Sequence, residues 1–157
     1  MLPLKDDVPP STVPFITVGL IAANVLAFFY QMSLQFTDDP AALRAAQTFV
    51  FEFGLIPCRL TGSCVASDAF PHPVVTLFTS MFLHGGLFHV FGNMLYLWIF
   101  GNNVEDTLGH GRFLGFYLTA GVAAALAQTA IGPSSKIPMI GASGAVSGVL
   151  GAYLLLY

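Results

Sequence analysis

Two polar side chains within an apolar stretch are the first candidates for chemistry in this 157-residue chain. His89 and Asn93 are four residues apart, so on a helix they project from the same face. In a membrane they are expected to face the protein interior or a wet cavity, because contact with hydrocarbon is costly. Their N–H groups could then stabilise a developing oxyanion. For this pair alone, the favoured interpretation is simpler, namely a polar contact that joins two helices.

Ser143 lies in a run of small residues from Gly141 to Gly144. Its hydroxyl could act as a nucleophile if a base lies beside it. The run is not the nucleophile elbow of soluble hydrolases, because Ala145 stands where that motif needs glycine. Gly144 and Gly148 have small-xxx-small spacing, so the alternative is a serine in an ordinary helix-packing sequence. Alone, this run is weak evidence for catalysis.

The composition of the chain is that of a membrane protein. Hydrophobic residues make up 55% of it and charged residues 8%, whereas an ordinary soluble domain has about 25% charged residues. The net charge of −3 offers no basic surface for nucleic acid, and the apolar content excludes a disordered chain. The charges leave four uncharged windows, at 8–37, 69–104, 113–135 and 137–157. Each is long enough for a membrane-spanning helix, which needs about 20 apolar residues.

These windows predict an all-α fold, a polytopic transmembrane helix bundle that forms one domain over residues 1–157. The predicted helices are Val13–Leu34, Leu87–Phe100, Phe113–Ile131 and Ile140–Tyr157. The polar side chains Asn24 and Gln31 in the first of them are expected to hydrogen-bond to neighbouring helices.

The connections between these helices determine which residues can meet. A polar loop at 38–68 carries an apolar cluster around Glu52 and is expected to lie in the headgroup layer. A short, turn-rich loop at 101–112 predicts that the second and third helices are antiparallel neighbours. The second and fourth helices then run in the same direction. Ser143 and the pair of His89 and Asn93 are therefore expected near one membrane face.

Charge and cysteine content leave the orientation open. The five basic residues divide almost equally between the two faces, with Lys5 and Arg112 on one and Arg44, Arg59 and Lys136 on the other. This gives no usable positive-inside bias. Cys58 and Cys64 are spaced so that a disulfide could close, in which case their loop faces an oxidising compartment. Two free thiols are an equally good interpretation.

The combination of these motifs resembles the rhomboid family of intramembrane serine proteases. The residues that carry the resemblance lie on both sides of the third helix, with His84, His89 and Asn93 before it and Gly141, Ala142, Ser143 and Gly144 after it. The pair Glu105 and Asp106 after the second helix is similar to bacterial members. The resemblance extends over nearly the whole chain.

The resemblance implies a catalytic role for three residues. Ser143 matches the family's nucleophile. His89 and Asn93 match side chains that form the oxyanion hole together with the Ser143 backbone N–H. His84 matches a histidine that is mainly structural. The implied activity is hydrolysis of a peptide bond within or beside a transmembrane segment, without a metal or other cofactor.

The resemblance also implies a setting for these residues. Gly141 and Gly144 are expected to be structural residues near the site, and Gly144 with Gly148 matches a closely packed serine helix. The stretch 35–86 matches a first loop that is partly embedded in the membrane. The implied partners are transmembrane protein substrates and the lipid bilayer. The implied location is the bacterial inner membrane, with the N-terminus in the cytoplasm.

The family's general base, a histidine on its sixth helix, has no counterpart in this sequence. All histidines precede Ser143, at His72, His84, His89 and His110. Four of the expected six helices are present, so we expect the base beyond residue 157 in a longer parent chain. His84 and Lys136 are the local alternatives. Because a serine hydroxyl is a poor nucleophile without a base, we expect this chain alone to have no proteolytic activity.

Two other functions stay open beside that of a serine endopeptidase. A non-catalytic rhomboid-like protein could use the same fold to bind transmembrane helices, and the missing base is compatible with it. A channel or transporter fragment would use His84, His89 and Asn93 to line a pore. This interpretation ranks last, because the windows contain no charged residue and the sequence shows no half-repeat.

Overall fold

The fold is helical throughout the part of the chain that the structure describes. The computed structural model describes residues 12–35, 39–64 and 71–157. Over these ranges the only β-pairing is an isolated bridge between Leu55 and Met139. The same ranges contain seven α-helices, namely α1 (Phe15–Ser33), α2 (Pro40–Phe53), α3 (Pro57–Leu60), α4 (Thr76–Thr79), α5 (Leu87–Leu108), α6 (His110–Ile131) and α7 (Ser143–Leu156). The predicted all-α class is confirmed.

Four of the helices, α1, α5, α6 and α7, form a bundle with an apolar exterior. Within the described ranges α1 and α6 are long and apolar enough to cross a membrane by length and composition, and α7 is a shorter apolar helix. Large apolar side chains point outward, among them Phe88, which is 90% exposed. The interior is filled by fully buried side chains such as Leu97, Phe113, Tyr117 and Val149. An exposed apolar surface around such a core is typical of contact with lipid.

The observed helix ends correct three expectations. Helix α5 continues to Leu108, beyond the predicted end at Phe100, and α6 already begins at His110. The predicted turn-rich loop at 101–112 is therefore a single residue, Gly109, whose φ of 80° reverses the chain. Helix α5 continues because the carboxylate of Glu105, which ended the uncharged window, is hydrogen-bonded inside the bundle. Helix α7 begins at Ser143, three residues after the predicted start.

A further helix lies inside the segment that was predicted to be a loop. Asp39 accepts a hydrogen bond from the Ala41 N–H and caps the amino end of α2, and Pro40 occupies its first position. Both residues are typical of helix starts. Beyond α2, Cys58 and Cys64 are joined by a disulfide, so the interpretation as two free thiols is wrong.

Helices α5 and α7 run parallel, as the sequence predicts. At one end Asn93 and Ser143 line the same cavity, and at the other end the hydroxyls of Thr107 and Tyr157 are 2.8 Å apart. Helix α1 runs antiparallel to α5. Its amino end contacts Glu105, whereas Gln31 near its carboxyl end hydrogen-bonds to the backbone before α5.

The carboxylate of Glu105 connects three helices at the end of the bundle that is remote from Ser143. It is fully buried and accepts hydrogen bonds from the N–H of Ile16 at 2.9 Å and from the N–H and hydroxyl of Thr17, both at 2.7 Å. Its other contact is Nδ1 of His110 at 2.6 Å. Since the first N–H groups of a helix have no partner within it, Glu105 of α5 acts as the cap that α1 lacks in its own sequence.

We expect Glu105→Ala to lower the free energy of unfolding by about 3–5 kcal/mol, because it removes one partner of a buried charged network. The matched control is Glu52→Ala, which removes a half-buried carboxylate of α2 that has no ion pair within the described ranges. The control should change stability by less than about 0.5 kcal/mol. Unfolding in mixed micelles measures both variants, and equal losses would contradict the role of Glu105.

Candidate active site

Ser143 is the first residue of α7, and its side chain is exposed. The first N–H groups of a helix have no intrahelical acceptor, and the positive end of the helix dipole lies there. The Ser143 hydroxyl and its backbone N–H therefore occupy a place where negative charge is stabilised.

A cavity of about 350 Å³ between α5 and α7 brings the three predicted catalytic residues together. Ser143 lines it from α7, and His89 and Asn93 line it from α5. Ser147, one turn after Ser143, lines the same cavity. The predicted meeting of these residues at one end of the bundle is therefore observed, because α5 and α7 are parallel and both begin near that end.

The carboxamide of Asn93 is an unpaired donor. The residue is only 8% exposed, and its Nδ2 has no hydrogen-bond partner within the described ranges. Leaving a buried donor unpaired costs about 1–3 kcal/mol, so such groups in folded proteins call for an explanation. A ligand atom with a free electron pair in the cavity would satisfy this donor.

The imidazole of His89 is held so that it acts as a donor. Its Nδ1 accepts a long hydrogen bond from the Gly85 N–H at 3.4 Å. In the neutral ring the proton is then on Nε2. The ring lies directly over Gly141, where an added Cβ would be 2.7 Å from Nε2. The φ of Gly141 is 126°, so glycine is required there both by space and by backbone conformation.

His84 positions the backbone before Ser143 and is fully buried. Its Nε2 accepts a long hydrogen bond of 3.5 Å from the Ala142 N–H, and its ring lies edge-on to that of His89 with centroids 5.1 Å apart. Burial lowers the pKa of His84 to about 4, and the neighbouring charge of His89 is the second cause of this lowering. His84 is therefore neutral at pH 7, which suits an acceptor with a structural role.

Gln31 of α1 holds the backbone of His84 from the other side. Its amide Nε2 donates to the His84 carbonyl at 2.7 Å, and its Oε1 accepts from the His84 N–H at 3.2 Å. The sequence predicted an interhelical partner for Gln31, and the observed partner is this connection before α5. Asn24 donates to the carbonyl of Leu20 in its own helix, and its amide lies beside the Tyr117 hydroxyl of α6, so its interhelical contact stays a prediction.

The segment that leads to Ser143 is fixed by the first loop. Leu55 and Met139 exchange two backbone hydrogen bonds of 3.1 and 2.8 Å, and the Cys58 N–H donates to the Ser135 carbonyl. Closer to the serine, the Gly141 N–H donates to the Ser80 carbonyl at 2.9 Å. These contacts could not be predicted from the sequence, because they are made by backbone groups, which are the same in every residue type.

Helix α7 packs against α6 through glycines. A Cβ added at Gly144 would lie 2.5 Å from Cβ of Ala124, and one added at Gly148 would lie 2.5 Å from Cβ of Ala120. The helices are antiparallel, and their backbones approach as small-xxx-small spacing indicates. The helix-packing interpretation of this run is therefore confirmed, and Ser143 lines the cavity beside it.

The other candidate bases do not reach this cavity. His110 lies at the opposite end of the bundle beside Phe15 and Glu105, and His72 is exposed in the loop before α4. Lys136 lines a different cavity from the two that Ser143 borders. Within the described ranges no group of three histidine, cysteine or acidic side chains could hold a metal ion.

Comparison with known proteins decides the family. A family model described as Rhomboid domain matches residues 71–157. The chain belongs to the rhomboid family. Members of this family are integral membrane proteins, in agreement with the apolar exterior of the bundle.

Individual relatives cover the chain to different extents. It is 45% identical over 78 residues to "Rhomboid protease GluP" of Bacillus subtilis, which covers 50% of this chain and 15% of that protein. It is 29% identical over 155 residues to "RHOMBOID-like protein 1" of Arabidopsis thaliana, covering 90% of this chain and 39% of the relative. The human "Presenilin-associated rhomboid-like protein, mitochondrial" is 34% identical over 138 residues, which are 85% of this chain and 31% of that protein. The rhomboid chain thus spans well under half of each relative.

We expect Gly148→Ala in this rhomboid to lower the free energy of unfolding by about 1–2 kcal/mol. The added methyl overpacks the contact with Ala120 by more than the improved helix propensity returns. Gly115→Ala on α6 is the control, because a Cβ there meets no atom within 4 Å. The control should be neutral or stabilising by up to about 1 kcal/mol. Unfolding in mixed micelles tests both, and a stabilising Gly148→Ala would show that α6 and α7 are not in close contact.

Proposed function

We propose that this rhomboid chain carries the nucleophile and the oxyanion hole of an intramembrane serine endopeptidase. The observation that carries the proposal is the cavity lined by Ser143, His89 and Asn93, in which the buried Asn93 amide has no partner within the described ranges. An unpaired donor beside a nucleophile at a helix amino end is the arrangement that a tetrahedral intermediate requires. The Bacillus subtilis relative is named a protease, which supports the same reaction.

In the proposed reaction the Ser143 hydroxyl attacks the scissile carbonyl and passes its proton to a base. The carbonyl oxygen becomes an oxyanion that accepts hydrogen bonds from Asn93 Nδ2, His89 Nε2 and the Ser143 N–H. The C–N bond then breaks, and the leaving amine takes the proton from the base. Water attacks the acyl ester in the second half, which releases the new carboxyl end and restores the serine.

We propose that the general base is a histidine that is not part of this sequence. Within the described ranges His89 has its Nδ1 engaged by Gly85, and His84 has its Nε2 engaged by Ala142. We propose that residues 1–157 are the amino-terminal part of a six-helix transmembrane domain whose later helices bring the base to Ser143. The chain alone should therefore be inactive.

The proposed substrates are transmembrane segments that can unwind locally. A carbonyl inside a regular helix is hydrogen-bonded and shielded, so it cannot enter the oxyanion hole. Small or helix-breaking residues near the scissile bond lower the cost of unwinding. The cavity opens between α5 and α7, where an unwound segment can reach Ser143 from the side.

We also propose an orientation in the bacterial plasma membrane, with the amino end of α1 on the cytoplasmic side. The disulfide between Cys58 and Cys64 supports it, because it lies on the same face as Ser143 and disulfides persist in oxidising compartments. Some relatives carry mitochondrial names, so the choice of a bacterial membrane rests on the similarity to the Bacillus subtilis protein.

Labelling by a fluorophosphonate distinguishes the protease from a rhomboid-like protein that only binds transmembrane helices. We expect the full-length protein to be labelled at Ser143, because the reagent needs an activated serine. Ser143→Ala should abolish labelling, whereas Ser147→Ala, which removes the other serine hydroxyl of the cavity, should retain it. An unlabelled, folded full-length protein would favour the binding function.

Asn93→Ala in the full-length enzyme should lower kcat about 10²–10³-fold, since it removes one oxyanion donor. The folded state should survive, because the Asn93 amide donates no hydrogen bond within the described ranges. Asn102→Ala, a change on the same helix at its opposite end, is the control and should leave kcat unchanged. Cleavage of a transmembrane substrate in proteoliposomes gives both rates, and an unaltered kcat for Asn93→Ala would remove its assigned role.

A further inference from the structure

Most basic side chains of the described part of the chain line one cavity. This cavity, of about 840 Å³, lies between α2, the segment before α7 and the disulfide loop, which is the stretch from Cys58 to Cys64. Arg44, Arg59 and Lys136 line it, and they are three of the four lysine and arginine residues within the described ranges. The fourth, Arg112, lies in the first turn of α6 at the other end of the bundle. The sequence predicted these three cations on one face, and the fold gathers them into one site.

Hydrogen bonds to backbone carbonyls hold the walls of this cavity together. Arg59 donates from Nη1 to the Phe51 carbonyl at 2.9 Å, which ties the disulfide loop to the end of α2. The Cys58 N–H donates to the carbonyl of Ser135, so Lys136 is brought beside the disulfide loop. The disulfide itself forms part of the wall.

The positive charge of the cavity is only partly compensated. Among the residues that the structure describes, Glu52 is the one acidic residue that lines it, and it forms no ion pair with the three cations there. In addition, Nε of Arg59 is buried and has no hydrogen-bond partner there. The described residues of the site therefore carry excess positive charge and an unused donor, which together call for an anionic ligand with several oxygen atoms.

An apolar cavity adjoins the cationic one. It has a volume of about 400 Å³ and lies along the other flank of α2, where Leu43, Ala46 and Val50 line it. Gln47 and Phe51 line both cavities. A ligand that fills both must have an anionic head and an apolar tail.

We propose that the two cavities bind one anionic phospholipid, with its phosphate between Arg44, Arg59 and Lys136 and an acyl chain along Leu43 and Val50. The position of α2 supports this choice over an acidic peptide. Helix α2 follows α1, which is long and apolar enough to cross a membrane, and it presents Leu43 and Phe51 outward beside the cations. Such a helix lies in the membrane interface, where lipid headgroups are the most abundant anions.

Native mass spectrometry of the full-length protein in detergent tests the proposal with dioleoyl phosphatidylglycerol as the probe. The variant is Arg44→Gln with Lys136→Gln, since both side chains are exposed and make no hydrogen bond or ion pair within the described ranges. Arg59 is kept because it holds the loop. We expect affinity to fall about fivefold for each cation and about 25-fold for the pair. Arg112→Gln, the matched control on the opposite face, should bind as the parent does.

Two further probes separate the sources of the anionic group. Phosphatidylcholine of the same chain length should bind at least tenfold more weakly, because its headgroup has no net charge. Glycerol phosphate, which lacks acyl chains, should not displace the lipid at equal concentration. Equal binding of the two lipids, an equal effect of Arg112→Gln, or displacement by glycerol phosphate or by a soluble polyglutamate peptide would each overturn the proposal. None of these outcomes depends on proteolytic activity.

Discussion

The close contact between α6 and α7 determines where Ser143 lies. In a bilayer, apolar side chains gain little by leaving lipid for protein, so helices associate through tight packing of small residues. Gly144 and Gly148 allow the backbone of α7 to approach Ala124 and Ala120 of α6. This contact fixes α7 along its length. The amino end of α7, with its unpaired N–H groups, then faces α5 at the level of His89 and Asn93.

The buried polar groups of the bundle fall into two kinds. Glu105 and Gln31 are paired across elements, one at each end of α1, so they stabilise the bundle and set the height of α5 against α1. Asn93 is different, because its amide donor is buried without a partner within the described ranges. The carboxylate of Glu105 accepts three hydrogen bonds from α1, whereas the Asn93 donor is left unpaired at a cavity that Ser143 borders. In the proposed reaction, the free energy lost there in the resting state would be recovered when an oxyanion binds.

The sequence predicted those parts of the fold that depend on the length of uncharged segments. It did not predict the part in which a charged side chain is hydrogen-bonded inside the bundle. The four bundle helices and the parallel course of α5 and α7 follow from the uncharged windows. The end of α5 does not follow from these windows, because a charged residue such as Glu105 predicts a helix boundary. Its hydrogen-bond donors in α1 are not evident from the sequence. Helix α2 was detectable from Asp39 and Pro40 as a cap and first residue. The backbone contacts that hold the segment before Ser143 could not be predicted, since main-chain groups are the same in every residue.

One piece of backbone separates the proposed lipid site from the proposed catalytic site. Leu55 and Met139, joined by two hydrogen bonds, line a cavity that Ser143 borders, whereas Ile56, Cys58 and Lys136 line the cationic cavity. The two paired segments are thus a wall common to both. A phosphate held by Arg59 and Lys136 would bridge the same two segments that the Leu55–Met139 bridge and the Cys58–Ser135 hydrogen bond already join. Binding of a headgroup at the proposed lipid site would therefore restrict the backbone that leads to Ser143.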